Sequence, residues 1–199
     1  MTVFGPRATP RYVLHGHDGE TVAGRFAAER DWDLIARDVA DPDRGMELEV
    51  VWATDDPVTF QFREDHILNE GYVYLAGRDR AGVERHESDL TGSLDLWSRD
   101  ELLREAARHD EGPARGRAIL RAGLGAPMEF DREFYDLITG AMRSGDPAMR
   151  AIGVRACAYS PVAEYRPALE GLARSDAGQE IRDLAQATLR AFDEFEVGS

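Results

Sequence analysis

Apolar positions change their period once along the chain. Up to Leu96 they come in short runs separated by turn residues, and several of these runs alternate with polar positions, the spacing of a strand with one buried face. Tyr12-Val13-Leu14 opens the series and is followed by a Gly16-His17-Asp18-Gly19 turn and a short apolar segment over 21–28 that fits a strand or a helix. Trp32, Ile35, Ala36 and Val39 recur at helical spacing and predict one helix over 32–39. Asp41-Pro42-Asp43-Arg44-Gly45 breaks the chain. Leu48, Val50 and Trp52 then alternate over 47–54, Val58, Phe60 and Phe62 alternate over 58–62, and Asp55-Asp56-Pro57 between them predicts a hairpin. A further strand is predicted over 72–76.

Beyond Leu96 the period becomes helical. Ser98 and Glu101 have the spacing of a capping box, in which each side chain satisfies an early backbone amide of a new helix. Helices are predicted over 99–108, 113–124, 132–143, 147–158, 161–174 and 179–192, with Gly, Pro and Asp between them. The expected architecture is α+β: a small N-terminal antiparallel sheet with a helix over residues 1–97, then an all-α stack of about three helical pairs over 98–199.

The second half resembles the HEAT repeats. Arg166-Pro167-Ala168-Leu169 with Leu172 matches the first helix of such a repeat, and Asp176 the loop aspartate. Ile181-Arg182 and Ala185 match the start of the second helix. One copy earlier, Asp146, Met149-Arg150 and Gly153 follow Leu137, Ile138 and Ala141, with glycine where the family carries alanine. A looser copy has Ala114-Arg115 and Ala118 after Leu102, Leu103 and Ala106. Arg115, Arg150 and Arg182 are thus 35 and 32 residues apart, and in a stack of helical pairs each pair covers the apolar face of the next. The resemblance implies a binding role and assigns the recurring arginines to bridging loops rather than to catalysis.

Composition narrows the chemistry. A hydrophobic content of 43% over 199 residues suffices for a substantial core. All 24 basic residues are arginine, which excludes lysine Schiff bases and a P-loop lysine; together with abundant Ala, Gly and Asp this fits a GC-rich bacterial genome. No apolar run approaches the ~20 residues of a membrane span and the first residues lack a secretion signal's apolar core, so a cytoplasmic protein is expected. Cys157 is the only cysteine and is expected as a buried helical thiol, without a disulfide or a multi-cysteine zinc site.

Formal net charge is −14. Residues 1–97 hold ten arginines against twenty carboxylates, and residues 98–199 hold 14 against 18, giving −10 and −4. Such a field repels phosphate backbones and anionic membranes and attracts basic proteins.

Four stretches carry residues that could support chemistry. His15-Gly16-His17 with Asp18 and Glu20 superficially resembles a cupin ligand cluster, but its spacing departs from that family and no second glycine-rich motif follows. His66 beside Glu64-Asp65, and His86 beside Glu87, invite acid/base roles, yet neither comes with a nucleophile motif. The carboxylate pairs Asp41/Asp43, Asp55/Asp56 and Glu64/Asp65 lack the pattern of a calcium loop. Phe60, Phe62, Tyr72 and Tyr74 could stack bases, but alternating strand aromatics are core residues and the charge has the wrong sign.

No catalytic residue, cofactor or metal ligand is therefore assigned. The expected function is a non-enzymatic protein-binding module, an adaptor, scaffold or toxin-neutralising immunity protein. Its partner is expected to be basic and to bind at Asp55, Asp56, Glu64 and Asp65. The alternatives are a metal-dependent enzyme at His15/His17 and a HEAT-like DNA glycosylase, which needs a basic concave face.

Overall fold

The computed structural model describes residues 8–41 and 47–197. The break at 41–45 falls outside them apart from Asp41, as does Asp43 of the first carboxylate pair. The protein is α+β, and its contacts divide it into two compact units, Met1–Trp97 and Ser98–Ser199.

The first unit is a five-stranded antiparallel sheet with two helices. Its strands are β1 (Tyr12–Val13), β2 (Asp33–Asp38), β3 (Leu48–Ala53), β4 (Val58–Asp65) and β5 (Glu70–Gly77), in the order β1-β5-β4-β3-β2. The register pairs Trp52 with Phe60 and Phe60 with Leu75, so the alternation read in the sequence becomes one continuous apolar face. Val50, Trp52, Val58, Phe60, Phe62, Val73 and Leu75 form that face. Helix α1 (Gly19–Ala28) covers it with Ala23, Phe26 and Ala27, and α2 (Arg80–Ser93) with Val83 and Leu90. The opposite face carries a polar ladder: Arg63 bonds Glu49 at 2.6 Å, and the Tyr74 hydroxyl donates to Gln61.

Residues 33–38 are a strand, not the helix their apolar spacing predicts. Helix α1 ends at Ala28. Asp31 then takes a left-handed backbone (φ 54°), and the Trp32 amide donates to the Ala27 carbonyl at 3.1 Å, which turns the chain back and drives Trp32 into the core. From Asp33 onward pairing with β3 holds the backbone extended. The helical spacing misleads because it presumes burial, whereas Ile35 is 56% and Val39 66% exposed.

Helix α2 was not anticipated, because Gly82, Gly92 and its Thr and Ser weaken the helical signal. Its core face is Val83, His86 and Leu90, and the Asp79 carboxylate caps it by accepting from the Ala81 and Gly82 amides.

The second unit is three successive helical pairs: α3 (Arg99–Arg108) with α4 (Gly112–Gly125), α5 (Arg132–Met142) with α6 (Pro147–Tyr159), and α7 (Arg166–Ser175) with α8 (Gln179–Glu194). Helix α6 packs on both α4 and α8, and α5 on both α3 and α7. Ser98 and Glu101 form the capping box, while Asp131 and Asp146 cap α5 and α6. The fifth predicted helix starts later than 161, since Ala163–Tyr165 is a 3-10 turn that buries Tyr165 ahead of α7.

Two glycines let these helices approach closely. A Cβ at Gly123 would lie 2.6 Å from the Ala156 carbonyl oxygen, and one at Gly153 would lie 2.7 Å from the Met142 amide nitrogen. Backbone cannot yield as a side-chain tip can, so glycine stands at Gly153 in place of alanine for lack of room.

Candidate functional site

The arginines that recur along the second unit do the same thing in each pair. Arg115 Nη1 donates to the carbonyls of His109 and Asp110, Arg150 Nη1 to those of Ser144 and Gly145, and Arg182 Nη1 to those of Asp176 and Ala177. Each guanidinium thus closes the loop five and six residues before it, supplying donors to carbonyls between the helices. Arg150 also grips the Asp176 carboxylate at 2.6 and 3.0 Å, tying the second pair to the third. That hydrogen bond holds the Asp176 carboxyl below its ordinary pKa. These guanidiniums are spent on structure.

The four carboxylates singled out for partner binding do not form one patch. Asp55 and Asp56 lie in the turn before β4, whereas Glu64 and Asp65 lie at the far end of that eight-residue strand, roughly 25 Å away at the rise of an extended chain. Asp56 is held by Arg85 and His86. Asp65 is buried, its Oδ1 accepting from the amides of Ile67 and Leu68 at 3.0 and 2.7 Å to close the β4–β5 turn. Asp55 is exposed and Glu64 half-buried.

His15 and His17 are not gathered with a third donor. The His15 ring stacks on Trp97 at 4.3 Å, and His17 is exposed in its turn. Among the described residues one trio of metal-capable groups comes together, Glu47, Asp65 and His66, and two of Asp65's contacts are the backbone bonds just described. Cys157 is buried in α6, and burial pushes its thiol above the ordinary range, as suits an inert core cysteine.

Charged side chains converge in an open depression of about 410 Å³ lined by Arg30, Trp32, Asp55, Arg85, His86 and Asp89. Each comes from a structural junction: Arg30 from the end of α1, Trp32 from the turn into β2, Asp55 from the β3–β4 turn and the rest from α2. Arg30 caps α1 through the Phe26 carbonyl at 2.9 Å and pairs with Asp89, whose carboxyl it holds below the usual range. His86 Nε2 lies 3.0 Å from Asp56 Oδ2. A carboxylate only accepts, so Nε2 carries the proton and Nδ1 the lone pair. The imidazole is 8% exposed and meets the Trp32 edge. Burial first, then the Arg85 guanidinium, hold it below its ordinary pKa of 6.5, outweighing Asp55 and Asp89. The His86 and Arg85 contacts to Asp56 lock α2 to the β3–β4 turn.

A pH dependence follows. Below pH 6.5 the unfolded chain takes up a proton on His86 that the native protein refuses until lower pH, so stability is full above that value and falls on acidification. The melting temperature is expected to fall as the pH drops below about 6.5 more steeply than in His86→Gln, ahead of the range in which Asp89 titrates. Parallel melting curves in the two proteins would assign the dependence elsewhere.

Two surfaces were not legible as sites. Strand β2 lies at the sheet edge with all six residues exposed, among them Leu34 and Ile35. In the second unit an open groove of about 590 Å³ runs between α5 and α7, lined by Tyr135, Met142, Pro167 and Leu172 among others. The only sequence sign of the edge was apolar residues set between Asp33 and Asp38.

No protein-family model, curated protein or solved structure matches the chain.

Proposed function

We propose that this chain is a protein-binding module without catalysis of its own, an adaptor, scaffold or immunity-type protein that holds a basic partner in the cytoplasm. The observation that carries the reading is the charge asymmetry: residues 1–97 hold twenty carboxylates against ten arginines. Much of that arginine is already committed within the unit, Arg30 to Asp89, Arg37 to Glu20, Arg63 to Glu49 and Arg85 to Asp56. Asp31, Asp33, Asp38 and Asp55 remain exposed. An acidic surface of this kind steers a positively charged protein and fixes its register more than it adds raw affinity.

The helical pairs of the second unit and their loop-closing arginines support a HEAT-like reading, and such stacks serve chiefly as binding scaffolds. Charge weighs against the DNA glycosylase alternative, since a chain at −14 opposes a phosphate backbone. Geometry weighs against an enzyme at His15/His17, because His15 is stacked on Trp97.

Affinity capture from native lysate at low salt, followed by mass spectrometry, tests the reading. The expected partner is a basic protein whose recovery falls as salt is raised. A stoichiometric partner that is acidic would sink the proposal.

A further inference from the structure

The geometry points to β2 as the docking edge, and we propose that it takes an extended basic segment of the partner as a sixth strand of the sheet. The inference rests on the reading of a basic partner and names where that partner docks.

Strand β2 is an edge of the sheet, with its second neighbour position unfilled among the described residues. Edge strands present a row of backbone donors and acceptors, and proteins ordinarily blunt them with charges, bulges, proline or a covering loop. This edge carries a bulge and the charges of Asp33, Arg37 and Asp38, and among them it displays Leu34 at 57% and Ile35 at 56% exposure, with Val39 at 66% just beyond it. A bulge between Leu34 and Ala36 sorts the side chains onto two faces. Leu34 and Arg37 share the helix-covered face with their partners Trp52 and Val50. Asp33, Ala36 and Asp38 share the other with Ala53, Val51 and Glu49.

This sorting selects the occupant. An antiparallel self-pairing that sets Leu34 opposite Arg37 also sets Asp33 against Asp38 twice, and one centred on Arg37 sets that arginine against its own copy. Like charges directly opposite are unfavourable, so both registers oppose a second copy of the edge. Asp33 and Asp38 sit opposite Ala53 and Glu49 on the inner side, which are four residues apart. A regular strand on the outer side meets both carboxylates with basic side chains at that same spacing, and its intervening residues cover Leu34 and Ile35. Backbone bonds then supply affinity, and the two carboxylates supply selectivity.

The probe is a short fluorescein-labelled peptide with two arginines four positions apart and threonine and valine between them. It is titrated against the full chain by fluorescence polarisation. Controls replace both arginines by glutamate or methylate alternate backbone amides. Binding is expected for the arginine peptide alone. The exposed-site double variant Asp33→Asn/Asp38→Asn should weaken it about fivefold, Ile35→Arg should weaken it further, and both variants should melt as the parent does. Equal binding of the glutamate or methylated peptide, or no binding of any, overturns the assignment. So does a concentration-dependent doubling of mass in sedimentation that Ile35→Arg removes, which would make the occupant a second copy. Should a captured basic partner bind without competition from the arginine peptide and be indifferent to Ile35→Arg, β2 fails while the reading of a basic partner stands. If capture yields only acidic proteins although the peptide binds, that reading fails and the edge remains.

Discussion

Phe60→Ala should cost about 3–5 kcal/mol of folding stability, the range for truncating a fully buried phenylalanine. Phe60 is completely buried on the core face of β4 and meets three aromatic rings, Phe26 at 5.2 Å, Trp52 at 5.4 Å and Trp32 at 5.5 Å. Those rings come from α1, β3 and the turn into β2, so the cavity would open where three elements join and no single one can collapse to fill it. The loss should also loosen Trp32, which anchors the start of the exposed edge. Chemical denaturation read by tryptophan fluorescence measures this directly. A cost below about 1 kcal/mol would mean that the core is not centred on Phe60.

Leu169→Ala should cost about 2–5 kcal/mol, and Leu172→Ala clearly less. Both leucines lie on α7 at helical spacing, and from the sequence alone both are expected to fill the interface of the last helical pair. The structure separates them: Leu169 is fully buried, whereas Leu172 is half-buried and lines the groove between α5 and α7. Thermal denaturation of the two variants checks the difference. Equal losses would show that the groove is closed in solution, and negligible loss at both would overturn the register of α7.

The sequence was informative wherever one physical signal dominated. Strands β3 and β4 were legible because their apolar alternation follows the buried face of the sheet, and β5, buried along its whole length, because it is a continuous apolar and aromatic run. The helices after Leu96 were legible because Ser98, Asp131 and Asp146 cap them and Pro113, Pro147 and Pro167 fall near their starts. Residues 32–39 depart from the helical expectation because apolar spacing there does not mean burial: of Trp32, Ile35, Ala36 and Val39 only Trp32 is buried. Helix α2 was missed because its glycines and short polar residues dilute the helical signal and a histidine occupies one of its core positions.

The candidate sites depended on distance, which sequence does not carry. Asp55/Asp56 and Glu64/Asp65 look alike in one dimension, yet they lie at opposite ends of β4. Asp65 spends its charge on a turn and Asp56 on His86 and Arg85. The depression around His86 gathers residues from 30 to 89, and no local motif announces it.

The central claim is that acidic charge on the first unit steers a basic partner, and association kinetics test it most directly. Surface plasmon resonance with the captured partner at two ionic strengths should compare the parent with Asp31→Asn/Asp55→Asn/Glu64→Gln, substitutions that spare the buried Asp65 and the Asp56 network. Association should slow severalfold at low salt and depend less steeply on salt, with little change in dissociation. An acidic partner, or association indifferent both to salt and to all three substitutions, would contradict it.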